Sequence, residues 1–270
     1  MNFRSLAGLC LLVCALPLQA KEKTMLPRWE LGVALAGQAL PDYRGSREQQ
    51  VQAYPIPMLV YRGRFFKADR NGVRGEFLAN DRFEINLSGE TALNGGSNEN
   101  TLRQGMPELE SAFELGPSLN VNLSGADFNS GWQLRLPLRA VITAGESGVH
   151  GRGFTFNPRL TYIEPDVFWG WRGKANVGLL YGTDRYHDYY YSVPLPYVTD
   201  TRRFYDADAG FSGYYFKTSL SRRRGDFWWG FSLRYDNLSD TEFEASPLVE
   251  TTDYFALSFA VAWLGWQSRD

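Results

Sequence analysis

The chain has 270 residues and a formal net charge of −2, and this slightly acidic balance argues against a nucleic-acid partner. Its two cysteines, Cys10 and Cys14, lie near the start, which excludes a disulfide framework and a cysteine-based zinc site in the rest of the chain. The length that follows the first twenty residues fits one domain.

The first twenty residues have the features of a secretory signal peptide. Arg4 supplies a positive charge, residues 6–18 form an apolar segment too short to cross a bilayer, and Ala20 closes a small-residue cleavage site. Because both cysteines fall inside this segment, we expect the mature chain to contain none.

Nine stretches after the signal alternate apolar and polar residues with a period of two, and their apolar positions carry no charge. This alternation is typical of strands with one face in an apolar environment. The clearest runs from Leu109 to Leu123, longer than the roughly five or six residues usual in soluble sheets and long enough for the about 9–11 that cross a bilayer. The stretches lie at residues 29–35, 83–87, 109–123, 132–142, 154–162, 169–181, 214–220, 227–235 and 255–263.

The pattern is less regular between Gln50 and Leu78, where we predict strands at 50–61, 65–70 and 73–78 with a hairpin turn at Asn71-Gly72. Short connections then alternate with longer ones, as in outer-membrane barrels, whose short turns face the periplasm. No later apolar run reaches the ~18 residues of a transmembrane helix, so a membrane-spanning chain must form a closed barrel. We predict an all-β, antiparallel transmembrane β-barrel of about twelve strands, with ten as the alternative if the hairpin does not span.

These features predict a simple organisation along the chain. It consists of a signal peptide at 1–20, a periplasmic extension at 21–28, an outer-membrane barrel at 29–266 and a periplasmic tail at 267–270. The predicted location is the outer membrane of a Gram-negative bacterium, where lipid and lipopolysaccharide surround the barrel.

The positions of the tryptophans support this assignment of strands and turns, because the tryptophan ring collects at membrane interfaces. All eight tryptophans fall at strand ends next to short turns. Six of them form the predicted periplasmic aromatic girdle: Trp29, Trp132, Trp169, Trp171, Trp229 and Trp263.

Five prolines fall inside predicted strands: Pro55, Pro57, Pro117, Pro137 and Pro158. A closed barrel has no edge strand on which proline is harmless, so we expect bulges or broken ladder hydrogen bonds at these positions.

The polar positions of the strands carry charges that would cost about 2–4 kcal/mol on the lipid face at the bilayer midplane. Pairing across the predicted connections brings Glu114 near Arg139 and Glu84 near Glu114. The mixed signs favour an ion-pair network that fills the lumen, and a lining that selects a solute is the alternative. The predicted network comprises Arg82, Glu84, Glu114, Arg135, Arg139, Arg159, Arg172 and Arg234.

No catalytic residue, cofactor or metal site is predicted. The only histidines, His150 and His187, fall in predicted extracellular loops, and no GxSxG, HExxH or phosphate-binding glycine loop is present. His187 with Asp184 and Asp188 could form an acid–base pair or a weak metal site, but a solvated loop histidine is favoured.

Two surface segments remain open to several interpretations. The loop Thr183–Ala209, rich in tyrosine, could fold inward as a plug, present a binding surface, or pack over the outer rim. The triplet Arg222, Arg223 and Arg224 at a periplasmic turn could contact another protein or anionic lipid headgroups.

Short motifs in a fixed order carry a resemblance to a known family. They are Pro41-Asp42-Tyr43-Arg44-Gly45-Ser46, Pro55-Ile56-Pro57 with Tyr61, Gly153-Phe154-Thr155-Phe156-Asn157-Pro158, Tyr189-Tyr190-Tyr191-Ser192-Val193 and Ala245-Ser246-Pro247-Leu248-Val249. Their order and spacing, over essentially the whole mature chain, resemble the MipA/OmpV family of outer-membrane proteins.

The resemblance implies a non-enzymatic barrel that acts as a scaffold for murein-remodelling proteins. In the family's namesake, the scaffold joins the lytic murein transglycosylase MltA to a bifunctional penicillin-binding protein, and the family offers no catalytic residues. The alternatives are a narrow outer-membrane channel or porin for small solutes, suggested by the charged lumen, and a surface adhesin.

Overall fold

The computed structural model describes residues 27–69, 72–92, 97, 99–145 and 148–268. The predicted signal peptide and most of the predicted periplasmic extension lie outside these residues, as do the last two residues of the predicted tail.

Thirteen strands and one α-helix make up the described part of the chain. The strands, in chain order, are β1 (Trp29–Pro41), β2 (Gln49–Arg62), β3 (Phe66–Asp69), β4 (Gly72–Ala79), β5 (Phe83–Ala92), β6 (Ala112–Asn122), β7 (Gly131–Gly145), β8 (Gly148–Phe156), β9 (Arg159–Phe168), β10 (Trp171–Gly182), β11 (Gly210–Arg224), β12 (Phe227–Asn237) and β13 (Asp253–Gln267). Helix α1 spans Asp184–Tyr191, and two single 3₁₀ turns lie at Thr101–Arg103 and Leu195–Tyr197. Among the described residues, no helix has the length and apolar character needed to cross a membrane.

The strands form one closed antiparallel barrel. Neighbours in the sheet follow chain order, and β13 pairs with β1, for example at Val33 and Trp263. Strands β8 and β9 together take the place of one strand in the barrel wall. The second half of β7 pairs with β8, and Gly131–Arg135 of β7 pair with β9. The predicted barrel of twelve strands is therefore confirmed.

The alternation of side chains sorts the barrel into an apolar outside and a polar inside. In β1, Leu31, Val33 and Leu35 are exposed on the outer face, whereas Glu30 and Ala34 point inward and are buried. The other long strands repeat this arrangement, so a band of exposed apolar side chains surrounds the barrel. Such a band is the outer surface of a barrel that contacts lipid.

The two ends of the barrel differ in their connections. At one end, which we name the turn end, short connections join β2 to β3, β4 to β5, β9 to β10 and β11 to β12. At the other, the loop end, long segments follow β1, β5, β10 and β12. All eight tryptophans lie at or near the turn end.

Three details differ from the sequence prediction. Strand β6 begins at Ala112, because Leu109 is buried among loop residues and its N–H donates to the Ser97 Oγ at 2.7 Å. The alternation of short and long connections predicts a longer loop at residues 144–153, but β7 and β8 stay paired there, up to Gly145 and Gly148. The sequence predicts the turn between β9 and β10 at residues 164–167. Strand β9 instead continues to Phe168, and Trp169 and Gly170, with φ of 49° and 79°, form a two-residue turn.

Two of the strand prolines, Pro117 and Pro158, lie where the ladder is interrupted, as the sequence predicts. Pairing between β6 and β7 lapses at Gly116 and Pro117 and resumes in the same register opposite Pro137. At Gly116 the neighbouring backbone comes so close that a Cβ would lie 2.0 Å from the Leu138 carbonyl oxygen. Pro158 lies in the gap that separates β8 from β9.

Candidate functional site

The loops at the loop end pack together into a layer that we name the cap: residues 42–48, 99–111, 183–209 and 238–252. Helix α1 provides its centre, because one side of the helix buries Tyr186, His187, Tyr190 and Tyr191. Phe243 is fully buried and stacks on Tyr191 with ring centroids 3.6 Å apart. Of the three interpretations of the tyrosine-rich loop, the geometry favours the plug.

Polar contacts join the segments of the cap to one another and, through Arg44, to the barrel beneath. Arg44 donates from its Nη2 to the Ser212 carbonyl at 2.7 Å and lies 3.3 Å from the Asp236 carboxylate of β12. The Tyr191 hydroxyl donates to the Arg44 carbonyl at 3.1 Å. Arg103 donates to the Tyr190 carbonyl at 2.9 Å. These bonds satisfy buried backbone groups that an unfolded loop would leave in water.

His187 is part of this packing. Its ring is fully buried, its Nδ1 lies 2.5 Å from the Asp208 carbonyl oxygen, and its Nε2 lies 2.5 Å from the Ser212 Oγ. Nδ1 therefore carries the proton and donates it, while Nε2 accepts from the serine. Burial lowers the pKa of His187 below its usual range. The prediction of a solvated loop histidine is wrong.

A histidine beside a serine hydroxyl is the arrangement of a nucleophilic pair, but here it has a structural role. The side chains of His187 and Ser212 are both 0 % exposed, and the Phe243 ring covers the imidazole at 4.9 Å between centroids. A nucleophile must be reachable by its substrate. Asp184 and Asp188 are exposed, and the described residues contain no cluster of three or more metal-ligating side chains.

The middle of the lumen contains a branched ion-pair network. The Arg139 Nη1 lies 2.7 Å from the Glu90 Oε2 and 3.6 Å from the Glu114 Oε2, and the Arg159 Nη1 reaches the same Glu90 oxygen at 3.9 Å. The prediction that Glu84 lies near Glu114 is wrong, because the register places Glu90 opposite Glu114. Glu90 went unrecognised because the predicted strand stops at residue 87, although the inward positions continue to residue 90.

The other predicted lumen residues occupy separate sites. Arg234 binds Asp236 with contacts of 2.5 and 2.7 Å, and Arg135 donates to the Gln133 Oε1 at 2.7 Å. Glu84 accepts from the Asn120 Nδ2 at 2.9 Å.

Two of the predicted lumen arginines lie at the turn end instead. Arg82 is exposed in the turn before β5, and Arg172 is the second residue of β10.

A second ion-pair group lies inside the barrel at the turn end. Glu30 is 0 % exposed and lies between Arg62, at 2.5 Å, and Arg223. Arg223 therefore points inward, whereas Arg222 and Arg224 occupy outward positions of β11. Only these two arginines of the triplet are available to a partner or to headgroups.

The tryptophans of the predicted girdle surround the turn end. Trp169 is the most exposed of them, and Trp29, Trp132 and Trp263 are also exposed on the outer face. Trp171 and Trp229 are half-buried, the first beside Phe231 and the second stacked on Phe227.

Comparison with known proteins agrees with this architecture. A family model described as MltA-interacting protein MipA matches residues 33–264, which cover the barrel from β1 to β13. The comparison with curated proteins gave no match. Because the family match covers most of the chain, the chain belongs to the MipA family.

Proposed function

We propose that the protein is a non-enzymatic outer-membrane barrel that acts as a scaffold for murein-remodelling proteins. The family description names an interaction with MltA, a lytic murein transglycosylase, and the apolar outer band supports a membrane location. In this proposal residues 1–20 are a signal peptide, and the turn end faces the periplasm, where murein lies.

The covered loop end is the observation that carries the proposal. The cap packs over this end. Beneath it, the Glu90 network joins β5, β6, β7 and β9, and Glu30 with its two arginines joins β1, β2 and β11. Buried ion pairs of this kind hold a barrel in one shape. Solute conduction from the loop end would require the cap to open, so a structural role fits this arrangement better than an open channel does.

The turn end offers the surface for a partner. Arg222 and Arg224 point outward, and Arg28 lies nearby, where its backbone N–H donates to the Ser268 Oγ at 2.8 Å. In the proposal the turn end, with these arginines, binds MltA and a bifunctional penicillin-binding protein. Exposed positive charges of this kind steer association and select partners.

Direct binding of purified MltA to the barrel in lipid nanodiscs tests this proposal. In the doubly substituted variant R222S/R224S we expect binding to be about twofold to thirtyfold weaker, because exposed charge pairs contribute about 0.2–1 kcal/mol each. The matched control is Arg185→Ser, which removes an exposed charge from the cap and should leave binding unchanged. Absence of binding to the intact barrel, or equal losses in both variants, contradicts the proposal.

A further inference from the structure

The inner wall of the barrel carries a group of positive side chains on neighbouring strands. The register places Arg135 of β7 directly opposite Arg159 of β9. It also places Lys217 of β11 directly opposite Arg234 of β12. Lys174 of β10 faces the lumen between these two pairs. Like charges on opposite positions of neighbouring strands repel each other, so this group needs negative charge close by.

The carboxylates of the lumen reach two of the arginines but neither lysine. Glu90 lies 3.9 Å from the Arg159 Nη1, and Arg234 is bound by a carboxylate two positions along its own strand. In the part of the chain that the structure describes, no carboxylate lies within ion-pair distance of the Lys174 or the Lys217 ammonium group. These two ammonium groups are therefore available to bind an anion.

The two lysines lie close enough to share one anion. Lys174 is paired with Ser219 of β11, and Lys217 lies two positions before that serine on the same strand. Such diagonal neighbours are about 7–8 Å apart, a distance that two long side chains can bridge around a common ligand. The attraction is stronger than at the protein surface, because the lumen screens charge less than bulk water does.

Both lysines line a cavity of about 380 Å³ that lies mainly against β10 to β13 and β1. This volume is within the range of about 300–1,000 Å³ that is usual for small-molecule sites. A second cavity of about 480 Å³ shares both lysines and extends to residues 127–129, in the connection between β6 and β7 at the turn end. Because the cap covers the loop end, this second cavity provides the route to the lysines.

Hydroxyl groups line the same cavity beside the lysines. Ser219, Ser232 and Ser258 are directly opposite one another on β11, β12 and β13, so they form a row across three strands, and Ser221 lies next to this row. A serine hydroxyl both donates and accepts hydrogen bonds. The row therefore suits a ligand that carries several hydroxyl groups of its own.

The Trp228 ring adds an apolar surface to the cavity. Its neighbour Trp229 faces outward and stacks on Phe227, whereas Trp228 occupies an inward position of β12 and lines the cavity. The ring lies over Gly230, where a Cβ would be only 2.2 Å from the Trp228 Cη2, so the glycine leaves room for it. One face of a sugar ring consists of C–H groups and can pack on such an aromatic surface.

We propose that the lumen binds a small sugar acid. Its carboxylate lies between Lys174 and Lys217, its hydroxyl groups contact the serine row, and the apolar face of its ring lies toward Trp228. The ligand enters from the turn end, and the cap prevents it from passing through. This site is additional to the proposed scaffold surface, which lies outside the lumen.

Equilibrium dialysis of the intact barrel in phosphatidylcholine nanodiscs tests this proposal, with radiolabelled D-glucuronate as the probe. The double variant K174Q/K217Q should bind glucuronate at least about tenfold more weakly, because it loses hydrogen bonds between charged groups. The matched control R82Q/R185Q removes two exposed positive charges outside the lumen and should bind like the unmodified protein. Heat-modified migration in detergent gels verifies that each variant is folded.

Two comparisons test recognition of the ring and of the charge. Trp228→Leu should weaken glucuronate binding about twofold to tenfold, whereas Trp229→Leu, at the adjacent outward ring, should leave it unchanged. D-Glucose, which has the same ring without the carboxylate, should bind at least about tenfold more weakly than glucuronate.

Four results would overturn the proposal. They are absence of glucuronate binding to the intact barrel, equal binding of glucose, competition by acetate as strong as that by unlabelled glucuronate, and equal affinities of the double lysine variant and its control.

Discussion

The cap is held closed mainly by aromatic packing, and Phe243→Ala tests this directly. The Phe243 side chain is fully buried, stacks on Tyr191 and contacts the His187 ring edge-on. Removing a buried phenylalanine ring costs about 3–5 kcal/mol, which includes the cavity left behind. If the cap opens as a unit, its open population should rise between about a hundredfold and several thousandfold. The barrel should persist, because its strand pairing does not involve this ring.

Limited proteolysis with trypsin measures this opening. Arg185 and Arg203 are exposed on the same loop, so cleavage after them should accelerate in proportion to the open population. Phe204→Ala is the matched control, because this ring is 53 % exposed and its removal should change the cleavage rate little. If Phe243→Ala is cleaved no faster than the control, the cap is not held by this core and the reasoning fails.

The other predictions concern proton binding, buried charge and conduction. The pKa of His187 is lowered in the closed cap, so between that pKa and about 6.5 the open state binds more protons and the closed cap gains stability as pH rises. Tryptic cleavage of the cap should therefore increase as pH falls below about 6.5, and a His187→Gln variant that keeps this dependence would contradict the assignment. Glu30→Ala leaves Arg62 and Arg223 facing each other and should lower the free energy of unfolding by about 3–5 kcal/mol in urea titrations, whereas Asp200→Ala, at an exposed carboxylate, should stay within about 0.5 kcal/mol. The intact barrel should show no stable single-channel openings in planar bilayers, and regular openings would instead support the channel alternative.

The barrel itself was predictable because its signals are local. Alternation with a period of two follows from one face meeting lipid, and the lengths of the connections and the positions of the tryptophans distinguish the two ends. The Trp169-Gly170 turn was missed because tryptophan rarely adopts the positive φ that the turn requires.

The sites depend on long-range geometry that a pattern does not contain. Glu90 meets Arg159 because the wall curves between β5 and β9, and Arg44 reaches Asp236 because a loop folds inward. Pro55 and Pro57 leave the pairing of β2 with β1 intact, because odd-numbered residues of β2 direct their backbone groups away from β1. The parity of the hydrogen bonds decides this, and the residue pattern alone does not contain it.

The seam between β1 and β13 has a consequence for biogenesis. The Arg28 N–H and the Ser268 Oγ that meet there are 240 positions apart along the chain. Strand β1 can therefore pair with β13 only after all the strands between them have been synthesised. Until then the sheet has two long free borders, both prone to pair with other chains. Such a distant closure is intrinsically slow. The nascent protein therefore needs protection from aggregation for as long as this seam stays open.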